Sequence, residues 1–84
     1  MKKLLFVMNP FAGTRRANRV LAEVLSVFNR AGYEVLTYMT AGQGDATREV
    51  QARAAEVDLV VCVGGDGTFN ETITGVLRSG RDLP

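Results

Sequence analysis

Hydrophobic positions along this chain follow two alternating rhythms. Leu4 to Met8 is an unbroken apolar run, too short for a helix and suited to a strand covered on both faces. From Thr14 to Ala31 the rhythm changes: Ala17, Val20, Leu21, Val24 and Phe28 recur at helical spacing and predict an amphipathic helix, with Gly32 as the residue that ends it. Tyr33 to Met39, rich in β-branched and aromatic residues, predicts a second strand. Asp45 to Glu56 predicts a helix with a thin apolar side of Ala46, Val50 and Ala54, and Asp45 is of the right type to be its N-cap. Val57 to Val63 predicts a third strand, again buried on both faces. Thr68 to Arg78 predicts a third helix with Phe69, Ile73, Val76 and Leu77 as its buried stripe and Gly80 as its stop.

Strand and helix alternating about every 30 residues imply βαβ units, a parallel sheet and right-handed crossovers. The expected fold class is therefore α/β, a three-layer α/β/α arrangement of Rossmann type. Three strands are few for such a sheet, and Arg81-Asp82-Leu83-Pro84 has the composition of a loop leading to a fourth. Residues 1–84 are accordingly expected to form the N-terminal portion of a larger domain. The alternative is a self-contained small domain that shields its open sheet edges by dimerising.

Composition narrows the chemistry. The 84 residues include no histidine, which removes imidazole bases, Ser-His-Asp and Cys-His nucleophile systems and His-ligated metals from this chain's own resources. A single cysteine, Cys62, forms no disulfide within the chain. Ten basic and nine acidic residues give a net charge of +1, unlike a nucleic-acid binder. The only lysines are Lys2 and Lys3, so a Walker A loop, which places a lysine after its glycines, is excluded. The apolar run at the N-terminus stops at Asn9-Pro10, too soon for a signal peptide, and no stretch approaches the ~18 apolar residues of a membrane span. The expected location is the cytoplasm.

Six of the nine glycines (Gly13, Gly42, Gly44, Gly64, Gly65, Gly67) fall in the loops that follow the three strands. In an open parallel sheet these loops share the C-terminal edge, where ligands bind, and each leads into a helix N-terminus that favours an anion. Together they point to a polyphosphate ligand; singly, each glycine also suits a tight turn. In the first loop, Asn9-Pro10-Phe11-Ala12-Gly13, proline ends the strand. Arg15, Arg16 and Arg19 follow, either as a solvated basic face or as partners of a phosphate. Thr40 opens the second loop with a hydroxyl suited to a phosphate or ribose contact. The third, Gly64-Gly65-Asp66-Gly67-Thr68-Phe69-Asn70-Glu71, sets Asp66 between glycines, placed to hold a Mg²⁺–phosphate unit or to accept a proton from an attacking hydroxyl. Thr68 and Glu71 either form a capping box or take part in the site. Asn70 stands where a dinucleotide fingerprint needs its third glycine, so that motif is disfavoured.

Taken together, Asn9-Pro10-Phe11-Ala12-Gly13, Thr40 with Gly44-Asp45, and Gly64 to Glu71 resemble the catalytic domain of diacylglycerol kinases, and more closely the soluble bacterial lipid kinases related to sphingosine and ceramide kinases. The Gly-Gly-Asp-Gly-Thr core is shared with NAD kinases. The resemblance implies ATP with Mg²⁺ as cofactor, bound by Asn9 to Gly13, Thr40 and Gly64 to Glu71, with Asp66 as the catalytic residue. It implies transfer of the γ-phosphate to a lipid hydroxyl at the membrane surface, by a cytoplasmic protein peripheral to that membrane. A further glycine-rich loop and a β-rich domain, which complete such kinases, are absent from these residues, so the chain alone is expected to be inactive. The alternatives are an NAD kinase-like enzyme and a non-catalytic module that binds nucleotide or dimerises.

Overall fold

A computed structural model describes residues 2–9, 15–81 and 83–84, with the backbone alone for 15–20. In chain order the elements are β1 (Lys2–Met8), α1 (Arg15–Arg30), β2 (Tyr33–Met39), α2 (Asp45–Arg53), β3 (Leu59–Val63) and α3 (Asp66–Ser79). The strands form one parallel sheet in the order β2-β1-β3, with Leu4 opposite both Val35 and Leu59. The expected α/β class is the one observed.

Strand β1 is the centre of the sheet and of the core. Its residues alternate between two apolar layers, as the two-residue period of a strand requires. Leu4, Phe6 and Met8 face α1, packing with Leu21, Val24, Leu25 and Phe28. Leu5 and Val7 face the opposite layer, with Ala46 and Val50 of α2 and Val57. All five β1 residues are at most 1% exposed, which matches the expectation of a doubly covered strand. The Phe28 ring meets Tyr33 edge-on at 5.7 Å, tying the end of α1 to the start of β2.

Element bounds shift where backbone pairing or a cap decides them. Lys2 and Lys3 join β1 because they pair with Tyr33 and Glu34. Helix α2 stops at Arg53 instead of Glu56, and the Arg81 guanidinium binds the carbonyls of Ala54 and Val57 just beyond it. Strand β3 starts at Leu59, after Asp58 has exchanged two hydrogen bonds with Lys3: its N–H donates to the Lys3 carbonyl at 2.7 Å and its carboxylate accepts from the Lys3 N–H at 2.8 Å. Gly32 and Gly80 end α1 and α3 as expected, both at positive φ.

Two expectations about burial are corrected. Strand β3 is half-buried along its whole length, because it lies at the sheet edge and α3 covers it only in part. Most of the α3 stripe is turned outward: Phe69, Ile73 and Leu77 are exposed, Leu77 by 75%, while Val76 is half-buried against the core as expected. Its buried positions are the small ones, Thr68, Thr72 and Gly75. A Cβ at Gly75 would lie 2.8 Å from the Thr47 carbonyl oxygen and 2.8 Å from the Val50 Cβ, so α2 and α3 approach too closely for any side chain there. Close packing of the two helices thus wins over burial of the larger residues. Among the described residues, no helix is long and apolar enough to cross a membrane.

Candidate functional site

All three strands end at one edge, and their carboxyl ends are stitched together by backbone. The Asn9 N–H donates to the Val63 carbonyl at 3.0 Å, and the Thr40 N–H donates to the Met8 carbonyl at 2.9 Å. The ladder therefore continues one residue past the strands on both sides of β1 and fixes where the second and third loops depart. Between the loops lies a cleft of about 330 Å³, lined by Asn9, Thr40, Gly42, Gln43, Ala46, Gly67, Thr68 and Glu71. That volume is near the lower end of the ~300–1,000 Å³ typical of small-molecule sites.

Of the residues expected at the site, Asn9, Thr40, Gly67, Thr68 and Glu71 share this cleft, although they come from opposite ends of the chain. Gly64, Gly65 and Asp66 sit exposed beside it, where β3 passes into α3. Phe69 and Asn70 are not brought in. Phe69 belongs to the outward stripe of α3, and Asn70 is exposed with its carbonyl accepting from the Thr74 hydroxyl at 2.8 Å. Pro10, Phe11, Ala12 and Gly13 lie outside the described residues, as do the side chains of Arg15, Arg16 and Arg19. Gln43 and Ala46 join the cleft unforeseen. Their signal in the sequence is only their position, in and just after the second glycine loop.

The third loop is shaped by crowding. A Cβ on Gly64 would stand 2.7 Å from the Thr68 hydroxyl oxygen and 2.8 Å from its Cβ, so glycine is what lets the chain fold back onto Thr68. Helix α3 begins at Asp66 with Gly65 as N-cap and no side-chain cap, two residues earlier than expected. Thr68 therefore lies within the first turn, and the Thr68–Glu71 capping box does not form. Glu71 instead reaches across to α2, where its carboxylate accepts from the Ala46 N–H at 3.3 Å and its carbonyl accepts from the Thr47 hydroxyl at 2.7 Å. The amino end of α2 thus already has an anion from its own chain. The Asp66 carboxylate, at the amino end of α3, makes no hydrogen bond or ion pair with any described residue.

The second loop is anchored differently from expectation. Its N-cap is Gly44, in the left-handed region at φ 86°, and the Gly44 carbonyl accepts from the Arg48 N–H at 3.2 Å. Asp45 is the first helical residue, and its side chain turns back: Oδ2 accepts from the Ala41 N–H at 2.7 Å and Oδ1 from the Arg48 guanidinium at 2.7 Å. The Ala41 N–H, followed by the neighbouring Arg48 and the Tyr38 hydroxyl, holds this carboxyl below the ordinary aspartate range. Partial burial, then the Asp45 charge, raises the Tyr38 hydroxyl in turn. Thr40 is buried, and its hydroxyl is not free: it makes a long 3.5 Å contact to the Met8 carbonyl.

As a receptor the cleft is small-walled and polar. Backbone amides, the Thr68 hydroxyl and the uncapped end of α3 suit an anion approached closely by backbone. No lining residue described is cationic. The described residues hold no group of three Cys, Asp or Glu able to form a metal cage by themselves. A lone carboxylate such as Asp66 fits Mg²⁺ only together with phosphate oxygens and water, which is the usual manner of that ion.

Comparison with known proteins follows the same lines. The model of the diacylglycerol kinase catalytic domain matches residues 3–84. The chain is 42% identical over 77 residues to the diacylglycerol kinase of Bacillus subtilis (strain 168), covering 90% of this chain and 25% of that protein. With the diacylglycerol kinase of Staphylococcus haemolyticus (strain JCSC1435) it shares 41% identity over 71 residues, 83% of this chain and 22% of the other. A crystal structure of a diacylglycerol kinase from Bacillus anthracis str. Sterne superposes with a TM-score of 0.63 at 34% identity, over 88% of this chain and 27% of that one. The chain spans about a quarter of the length of the curated relatives it matches.

Proposed function

Because the chain belongs to the diacylglycerol kinase catalytic domain family, we propose that residues 1–84 form the ATP-binding N-terminal portion of a lipid kinase that transfers the γ-phosphate to a lipid hydroxyl. The observation that carries this reading is the convergence of Asn9, Thr40, Gly67, Thr68 and Glu71 on one cleft at the carboxyl edge of the sheet. The family favours diacylglycerol over NAD as acceptor. The lipid is met at a membrane surface by a cytoplasmic protein.

In this reading Asn9 and Thr40 flank the nucleotide from the central and outer strands. Gly64, Gly65 and Gly67 bring backbone amides close to it, and Thr68 adds a hydroxyl. Pro10 to Gly13 are assigned to the nucleotide on the family motif, and Phe69 and Asn70 contribute through the backbone of the third segment rather than as cleft walls. Asp66 would hold Mg²⁺ jointly with the phosphates, the ion supplying neutralisation of the charge that develops during transfer. Asp66 suits this because its carboxylate is exposed and has no hydrogen-bond or ion-pair partner among the described residues, whereas Asp45 and Glu71 are bound to backbone amides.

Titration of the chain with ATP, with and without Mg²⁺, tests the reading. We expect saturable binding below about 1 mM, the upper end of ordinary substrate affinities. Asp66→Ala should remove the Mg²⁺ dependence without changing the thermal midpoint. In the full-length protein the same substitution should abolish phosphoryl transfer to diacylglycerol vesicles. Retained transfer would show that the role given to Asp66 is wrong.

A non-catalytic or dimerising reading draws on one observation, the outward apolar stripe of α3 beside the half-buried edge strand β3. Phe69, Ile73 and Leu77, with Val60, Cys62 and Val76, line a second hollow of about 360 Å³. It bears on association of the chain and leaves the nucleotide cleft untouched.

A further inference from the structure

The second loop has support from the sheet on one side only. Strand β2 lies at the outer edge, so no neighbouring strand flanks residues 40–44 there. Thr40 is fixed to β1 through the Met8 carbonyl, but Ala41 lies beyond the ladder. Ala41 is exposed and stands in sequence between Thr40 and Gly42, both of which line the cleft. Its N–H is bound to Asp45 Oδ2 at 2.7 Å, the distance of a charge-assisted bond. The Asp45 N–H returns to the Gly42 carbonyl at 3.3 Å, closing the loop from both ends. Arg48 braces the other carboxylate oxygen at 2.7 Å, and the Asp45 side chain is only 16% exposed. Asp45 itself does not line the cleft.

We propose that Asp45 is a positioning residue for the nucleotide cleft: by holding the Ala41 N–H it fixes the wall formed by Thr40, Gly42 and Gln43 before a ligand arrives. This rests on the nucleotide reading of the cleft. The carboxylate touches no ligand and acts through the backbone of residues 40–44. A loop anchored beforehand loses less freedom on binding, so the anchor appears as affinity. The residue type follows from the task. The acceptor must sit at the first helical position, where its charge also suits the amino end of α2, and it must reach back four residues.

The test is calorimetric titration of the intact chain with Mg-ATP, alongside circular dichroism melts of each variant. Asp45→Ala removes the anchor, and Asp45→Ser, too short to reach Ala41, removes it while keeping a polar group at the helix start. Asp45→Asn keeps an acceptor for Ala41 but loses the charge. Arg48→Ala removes the brace but leaves the Ala41 bond. We expect Kd to rise about tenfold in Asp45→Ala and Asp45→Ser, the scale of one charge-assisted hydrogen bond. Asp45→Asn and Arg48→Ala should stay within about threefold of the wild type. Unchanged affinity in both Asp45→Ala and Asp45→Ser overturns the proposal alone. So does an equal loss in Asp45→Asn and Arg48→Ala, because the ion pair and not the Ala41 anchor would then govern binding. Absence of binding by the wild type overturns the nucleotide reading and the proposal together.

Discussion

The Asp45 carboxyl is shifted by its surroundings, and the consequence for acid stability has a definite sign. Its carboxyl is held below the ordinary range first by the Ala41 N–H, so the ionised form is favoured by folding. Such a group adds stability that is complete above its unfolded value of about 4 and is lost as pH falls through the lower folded value. Denaturation from pH 7 to pH 2 should therefore show a loss of stability below about pH 4 that is smaller in Asp45→Asn. Identical acid profiles for the two proteins would contradict the assignment. At this scale the sequence reveals residue types more readily than residue partners. Asp45 has the composition of an N-cap and Thr68–Glu71 the spacing of a capping box, yet neither forms. Gly44, at positive φ, takes the N-cap place and frees Asp45 to turn back on Ala41. Glu71 binds an amide 25 positions away, which no local spacing encodes.

Among the elements, six runs of apolar residues become three strands and three helices in the expected order, because each run has the period that its element requires. What the period leaves open is which side of a helix is covered. In α3 the apolar stripe and the small-residue face of Thr68, Thr72 and Gly75 compete, and the small residues win because they allow α2 to approach. Gly75→Ala tests that contact. Its new methyl would meet the Thr47 carbonyl and Val50, and overpacking of this kind costs about 1–3 kcal/mol. A domain of this size should then melt some 5–20 °C lower. A melt within a degree of the wild type would mean that the two helices part easily. Because Glu71 and Thr47 bridge the same pair of helices, a looser seam should also weaken nucleotide binding.

For the whole molecule, the exposed stripe of Phe69, Ile73 and Leu77 lies beside a β3 edge where the Val60 N–H donates to the Pro84 carbonyl at 3.0 Å. Such a surface favours association. Leu77→Lys should shift sedimentation of the chain toward monomer without altering Mg-ATP affinity. An unchanged distribution would remove the case for self-association through this face. By itself the sequence determined the α/β class, the order of elements, the burial of Leu4 to Met8 on both faces and the second and third glycine loops, since these follow from local period and turn chemistry. The tertiary structure decided the rest: the β2-β1-β3 order, the half-covered β3, the outward face of α3, and the bonds of Asp45 and Glu71 that hold α2 to its surroundings. Those depend on which distant surfaces meet, and the competition between close backbone approach and burial of large side chains is settled only when they do.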